Sequence, residues 1–275
     1  MAPPVLRAPG LGGKILPEQL WGCTTFNIPA QAALNGRTLI AQTYDMEKYY
    51  EKYLTILKLS PPGGPGALVV TLAGILGLNG LNTRGIGAVI NKITATDARP
   101  GVIYPFILRK ALAADRIGDA LGAVIFTQRA TGLNYQLSFP GVAFCAETSA
   151  TRYQLLDCEG GMAHTNHYLG VEMRCFETHQ WLSHGGSMVR RQVADHFLKR
   201  HPGNITPDLL KALMKDHTNH PRCICAHGFP DDADTTAFHT IFGVVMAPAE
   251  GWMDICCGNP CQNDFIRYNL EMTAG

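Results

Sequence analysis

Charge is scarce in this 275-residue sequence. Asp, Glu, Lys and Arg make up only 16% of it, and 23 basic against 22 acidic residues leave a net charge of +1. A chain so nearly neutral has no field with which to draw in nucleic acid or an anionic membrane surface. It also has no basic stripe with interleaved aromatics, so no nucleic-acid partner is expected. Long apolar runs are missing as well. The most apolar stretch, 67–78, is too short to span a bilayer and runs into Asn79 and Asn82. Residues 1–22 carry Arg7 and Lys14 but no unbroken apolar core, so they do not read as a secretory signal. No membrane partner is expected. A disulfide framework is lacking too, because the nine cysteines are odd in number and scattered through a long chain. Reduced thiols packed as small hydrophobes, in an intracellular and cytoplasmic protein, are the expectation. No Gly-Lys-Ser phosphate cradle occurs, and no cofactor is expected.

What is present is core. Hydrophobic residues reach 46%, enough for one large domain. The first 22 residues stand apart: Pro3, Pro4, Pro9, Gly10, Gly12, Gly13 and Pro17 forbid a long helix or strand. They read as a short leader ahead of a single domain, 23–275. From Cys23 the chain changes character. Residues 23–28 read as a strand whose hairpin partner, 38–44, follows a turn at Asn35-Gly36. Further strands are predicted at 54–59, 67–72, 86–93, 123–127, 136–139 and 153–156. Helical spacing marks 105–121, 187–199 and 207–215, and 238–245 with 252–256 reads as a closing hairpin. Strands, helices, strands, helices, strands is the order of two sheets with helices outside.

The pair Gly22-Cys23 invites one reaction. A thiol at the start of a strand can attack the preceding carbonyl, and glycine removes side-chain bulk at the attacked centre. The product begins at Cys23, and its free amine, with an ordinary pKa near ~7.7, can serve as base to its own thiol. A lone cysteine on a strand is otherwise a buried, inert residue.

The surroundings add to this. Gly-Cys-Thr-Thr at 22–25, followed by Gln-Thr-Tyr-Asp at 42–45, resembles the acyl-coenzyme A:isopenicillin N acyltransferase family. That family is the penicillin acyltransferase branch of the cysteine N-terminal-nucleophile superfamily, related to bile-salt hydrolases and penicillin V acylases. Met162-Ala163-His164-Thr165-Asn166-His167 is similar to the family's His-Thr-Asn-His segment, after a strand ending Leu155-Leu156-Asp157. Gly74-Ile75-Leu76-Gly77, then Asn82, Gly85 and Asn91, looks like its glycine-rich strand pair. The resemblance runs from Cys23 to the C-terminus. It implies an α+β, four-layer αββα N-terminal-nucleophile hydrolase sandwich and a small-molecule amide or acyl-CoA substrate. A cleaved leader peptide is a further possible partner. Cys23 would be the nucleophile, Asp45 would orient its amine, and Asn166 and Asn91 would donate to an oxyanion. Gln42, Tyr44 and His164 would meet the substrate.

Plainer readings stand beside these. Asp45 is also a turn residue closing a hairpin, Asn91 a strand-end cap, and His164 and His167 core packing rather than a metal site. The sequence departs from the family at two points. Members carry a much longer segment before the nucleophile, and they place an arginine shortly after an Ile-Cys pair, where Ile224-Cys225 is here followed by Ala226 and His227. A catalytically silent relative is therefore an alternative. Another is a metal-binding protein built on His217, His220, Cys223, Cys225, His227, Cys256, Cys257 and Cys261. Its Cys-Ile-Cys and Cys-Cys spacings do not match structural zinc motifs, and no metal ligand is assigned.

Overall fold

A computed structural model describes residues 22–178, 181–229 and 237–272, with backbone alone at 181–184. The leader expected at 1–22 lies, apart from Gly22, outside the described residues. Strand β1 (Gly22–Ile28) and strand β2 (Leu39–Glu47) pair antiparallel, with Gly22 opposite Asp45 and Cys23 opposite Tyr44. Their connection uses Asn35 and Gly36 at φ 62° and 68°, the left-handed region those two residue types tolerate best.

Two antiparallel sheets follow. The first has six strands in the order β10 (Met162–His164), β1, β2, β11 (Phe238–Ala247), β12 (Trp252–Cys257) and β13 (Ile266–Asn269). The second is a seven-stranded meander from β3 (Leu54–Leu59) through β4 (Ala67–Leu72), β5 (Asn79–Asn82), β6 (Gly87–Lys92), β7 (Leu133–Phe139) and β8 (Val142–Thr148) to β9 (Tyr153–Leu156). Alternation along each strand decides what lies between the sheets. Ile40, Tyr44, Leu68, Val70, Val89 and Phe242 share one buried cluster there. The opposite set of the meander, including Val69, Ala88 and Ile90, packs under helices α1 (Tyr104–Leu112) and α2 (Ile117–Ile125). Phe26, Ile28 and Leu39 pack under α3 (Trp181–Arg200) and α4 (Pro207–Leu213). The result is the four-layer αββα sandwich. Among the described residues no helix is long and apolar enough to cross a membrane.

Two expectations need correction. The helix predicted over 105–121 is two helices, and 123–127, predicted as a strand, begins inside α2. The break has a cause in buried Asn82. Its amide donates to the carbonyls of Leu112 at 3.0 Å and Ala114 at 2.9 Å, taking up carbonyls that end α1. The Ala-Val-Ile run at 123–125 looks strand-like, yet Ala120, Ala123 and Val124 form the buried stripe of a helix. Asn82 Oδ1 also accepts from the backbone N–H groups of Arg84 and Ile86, both at 3.0 Å. Replacing this side chain orphans groups on both sides of it. Asn82→Ala should lower unfolding free energy by about 3 kcal/mol, read as a shift of the urea midpoint, with an unchanged circular-dichroism spectrum.

Candidate active site

Cys23 sits on the face of β1 that looks between the sheets, with Thr25 and Asn27. Thr24, Phe26 and Ile28 face α3. The strand is thereby gripped from both sides. On the inter-sheet side, Asn91 Nδ2 donates to the Cys23 carbonyl and to the His164 carbonyl, each at 3.3 Å. Asn91 Oδ1 accepts from Thr25 Oγ1 at 2.6 Å and from Asn134 Nδ2 at 2.9 Å. On the helix side, Arg190 of α3 donates to the Cys23 carbonyl at 2.7 Å, to Thr24 Oγ1 at 2.9 Å and to Asn166 Oδ1 at 2.8 Å.

Asn166 meets Cys23 at both its backbone nitrogen and its sulfur. Its Oδ1 accepts from the Cys23 nitrogen at 3.0 Å, and its Nδ2 lies 3.1 Å from Cys23 Sγ and 3.0 Å from the Lys92 carbonyl. The donors around Oδ1 fix which way the amide points. Ser187 of α3 holds the Asn166 backbone N–H at 2.8 Å. The backbone N–H of Lys92, the residue after Asn91, also hydrogen-bonds the thiol. Burial pushes the thiol's pKa up, helped by the Asp45 charge, and the hydrogen bonds from Asn166, Lys92 and the Asn91 side chain only partly offset that, so the sulfur is held as a thiol.

Asp45 is buried beside Gly22. A Cβ on Gly22 would stand 2.7 Å from Asp45 Oδ2, so only glycine fits there undisturbed. Thr240 Oγ1 donates to Asp45 Oδ1 at 2.7 Å. Burial raises the carboxyl to about 6, against the pull of the Arg190 charge and of Thr240. Beside Gly22, Cys23 and Asp45 opens a cavity of about 220 Å³, walled largely by Tyr44, Ile90, Ile93, Tyr104 and Leu133. The Tyr44 and Tyr104 hydroxyls hydrogen-bond one another, and Tyr44 stacks on Phe242 with ring centroids 5.1 Å apart.

Of the residues singled out in the sequence, Gly22, Cys23, Asp45, Asn91 and Asn166 converge, and Tyr44 lines the cavity. Gln42 and His164 lie outside its walls. Gln42 donates to the Ile90 carbonyl and ties the two sheets together. Both ring nitrogens of fully buried His164 face oxygens 2.8 Å away, of Thr165 and Glu147. Sequence reading missed Arg190, Thr240 and the Lys92 amide. Arg190 had a signal: Ser187, Arg190, Ala194 and Leu198 form the buried stripe of α3, and a charged residue on such a stripe has a partner to find.

Solved structures share this architecture. The N-acylethanolamine-hydrolyzing acid amidase ortholog of Caenorhabditis elegans superposes with a TM-score of 0.56 at 15% identity, covering 82% of this chain and 93% of that one. A conjugated bile acid hydrolase from Clostridium perfringens gives 0.56 at 11% identity, over 91% and 98%. Penicillin V acylase from Agrobacterium tumefaciens gives 0.52 at 12% identity, over 86% and 83%. The fold is that of the N-terminal-nucleophile hydrolases. Within that class, residues 33–262 match the sequence model of the acyl-coenzyme A:6-aminopenicillanic acid acyl-transferase family, and the chain belongs to it. A curated relative from Emericella nidulans, the 40 kDa form of acyl-coenzyme A:6-aminopenicillanic-acid-acyltransferase, is 28% identical over 245 residues. That match covers 80% of this chain and spans 61% of the relative's length.

The raised carboxyl carries a stability signature. In the native state Asp45 keeps its proton up to about pH 6, whereas the unfolded chain releases it nearer the ordinary value of 3.8. Between those values the native state binds more protons, so Asp45 makes the fold less stable as pH rises, and its effect levels off above about 6. Urea midpoints compared between Cys23→Ala and Cys23→Ala/Asp45→Asn should diverge across that window. A constant difference from pH 4 to 7 would refute the raised value.

Proposed function

We propose that this chain is a cysteine N-terminal-nucleophile enzyme, moving acyl groups through a thioester at Cys23 after cutting itself at Gly22–Cys23. The observation that carries the reading is the double engagement of Cys23 by Asn166, 3.0 Å at nitrogen and 3.1 Å at sulfur, beside an apolar cavity. In the uncut chain the Cys23 nitrogen is an amide that donates to Asn166 Oδ1 and cannot take up a proton. Its thiol, pushed up by burial, has no base. Activity therefore waits on cleavage.

Cleavage starts with Cys23 Sγ adding to the Gly22 carbonyl carbon. In the tetrahedral adduct the nitrogen is no longer an amide, so it takes the thiol's proton, the carbon–nitrogen bond breaks, and Gly22 is left as a thioester on the sulfur. Water then opens the thioester, restoring the thiol and leaving a carboxylate on Gly22. What precedes Cys23 departs as a leader, and residues 23–275 form the catalytic domain. Departure of Gly22 empties the space against Asp45 Oδ2, where the new amine of Cys23 is held by the carboxylate.

In the processed chain that amine accepts the thiol proton as the sulfur attacks an acyl carbonyl. Asn166 Nδ2 and the Lys92 backbone N–H, both already at the sulfur, stabilise the oxyanion, each worth about 3 kcal/mol in the transition state. Asn91 braces Cys23 through its carbonyl, and the same amide also hydrogen-bonds the thiol, which makes it a further donor beside Lys92. The leaving amine or thiol recovers the proton from the Cys23 ammonium. Water or an acceptor amine then resolves the thioester, giving hydrolysis or transfer. The walls at Ile90, Ile93 and Leu133 suit an apolar acyl group, delivered by an acyl-CoA or a linear amide.

N-terminal sequencing and intact mass of the wild type and Cys23→Ala, purified side by side, test this. The wild type should begin at Cys23 and Cys23→Ala should remain uncut. Gly22→Ala should accumulate precursor, because its methyl group collides with Asp45. A wild type that stays uncut yet turns over amides or thioesters would defeat the mechanism.

A further inference from the structure

Away from Cys23, four soft side chains from three separate segments meet. His217 lies in the turn after α4, Cys225 and His227 in the segment leading to β11, and Cys261 in the loop between β12 and β13. One ligand atom from each lies within 4.8 Å of all the others. His227 Nε2 is 3.0 Å from His217 Nε2 and 3.6 Å from Cys261 Sγ. Zinc bonds of about 2.0–2.1 Å to nitrogen and 2.3 Å to sulfur, set tetrahedrally, place ligand atoms roughly 3.3–3.8 Å apart. Of the two His227 spacings, 3.6 Å lies inside that range and 3.0 Å just below it. Of the eight candidates named from the sequence, Cys223, Cys256, Cys257 and His220 fall outside the four. Cys223 turns back onto the Cys225 carbonyl at 2.9 Å, and Cys256 points at backbone oxygens. The sequence spacing concealed the site because Cys261 joins it only through folding.

The surroundings suit a thiolate site. Buried Asn259 donates to Cys225 Sγ at 3.5 Å and to the Ala226 carbonyl at 2.7 Å, the kind of outer hydrogen bond that orients a metal-bound sulfur. His217 is exposed and Cys225 buried, which leaves an entry path on one side only. Two thiolates would neutralise a divalent ion, and each cysteine would release its proton to solvent on binding.

We propose that His217, Cys225, His227 and Cys261 form a tetrahedral Cys₂His₂ site for one zinc ion. Its place in the fold assigns it a job. Ala226, between two of the ligands, donates its N–H to Thr240 Oγ1 at 2.9 Å and accepts from the Thr240 N–H at 3.0 Å. Thr240 in turn donates to Asp45 at 2.7 Å. The ion staples the 217–227 segment to the loop at Cys261 and steadies the contact that orients Asp45.

The test needs no substrate. Full-length chain without a histidine tag is purified without chelator and its zinc measured by plasma mass spectrometry. About one zinc per chain is expected, retained by Cys23→Ala and by Cys175→Ser, which alters an exposed cysteine outside the cluster. Cys261→Ser and His217→Ala should each weaken zinc binding at least ~10-fold. If those variants fail to fold, cobalt(II) added to metal-stripped wild type decides alone. The visible and near-ultraviolet bands of tetrahedral thiolate-bound cobalt support the site, and an octahedral aquo-like spectrum overturns it. Wild type that neither carries nor takes up zinc overturns it, as does undiminished binding by Cys261→Ser/His217→Ala. A Cys225–Cys261 disulfide in chain purified under reductant-free nitrogen would also overturn it.

Discussion

The Cys23 carbonyl is held from two sides, by Arg190 at 2.7 Å and by Asn91 at 3.3 Å, and the geometry of the site depends on that grip. A strand end is ordinarily the part of a sheet that frays. Here the first residues of β1 are buried between a helix-borne guanidinium and an asparagine fastened to the other sheet. Charge-assisted donors of this kind are shorter and roughly twice as strong as neutral ones. With the backbone pinned, the direction of the Cys23 side chain follows from alternation along the strand. The sulfur then faces Asn166 Nδ2, the Lys92 amide and the cavity.

That arrangement depends on polar groups sealed inside the sandwich. Thr25, Asn91, Asn134 and Gln42 are fully buried between the sheets, where an unpaired group would cost 1–3 kcal/mol. The Thr25–Asn91 and Gln42–Ile90 hydrogen bonds run from one sheet to the other while Asn134 braces Asn91 within the meander, so the sheets are joined by directional contacts near Cys23 and by apolar contacts elsewhere. Glu147 belongs to the same scheme. Burial raises its pKa, but His164 and the N–H groups of Leu169 and Gly170 outweigh that and hold the carboxyl below its ordinary value. This positions β10 and, through it, the turn that carries Asn166.

Much of this was legible in the sequence because it was local. The β1–β2 hairpin announced itself by alternation and Asn-Gly, and Cys23 and Asp45 lie within it. The sandwich followed from the order of strands and helices and from the family resemblance. What stayed hidden was long-range. Nothing near Arg190 in sequence points to Cys23, 167 residues away, although its place on a buried stripe marked it as paired. Backbone donors such as Lys92 N–H leave no mark in residue identity. The split of the 105–121 helix came from Asn82, a side chain some thirty residues upstream. The His217–Cys225–His227–Cys261 cluster was similarly divided between loops that only the fold unites.

The central claim is that freeing the Cys23 nitrogen lets a buried thiol, which until then attacks only its own Gly22 carbonyl, accept acyl groups from a substrate. Rapid-quench mass spectrometry tests it most directly, comparing processed chain with freshly made uncut precursor, each mixed with a medium-chain acyl thioester. The account predicts one hydroxylamine-labile acyl group on the peptide beginning at Cys23, formed in the processed chain within a turnover and absent from the precursor on that timescale. Equal acylation of both, or acylation at any other residue, would contradict it.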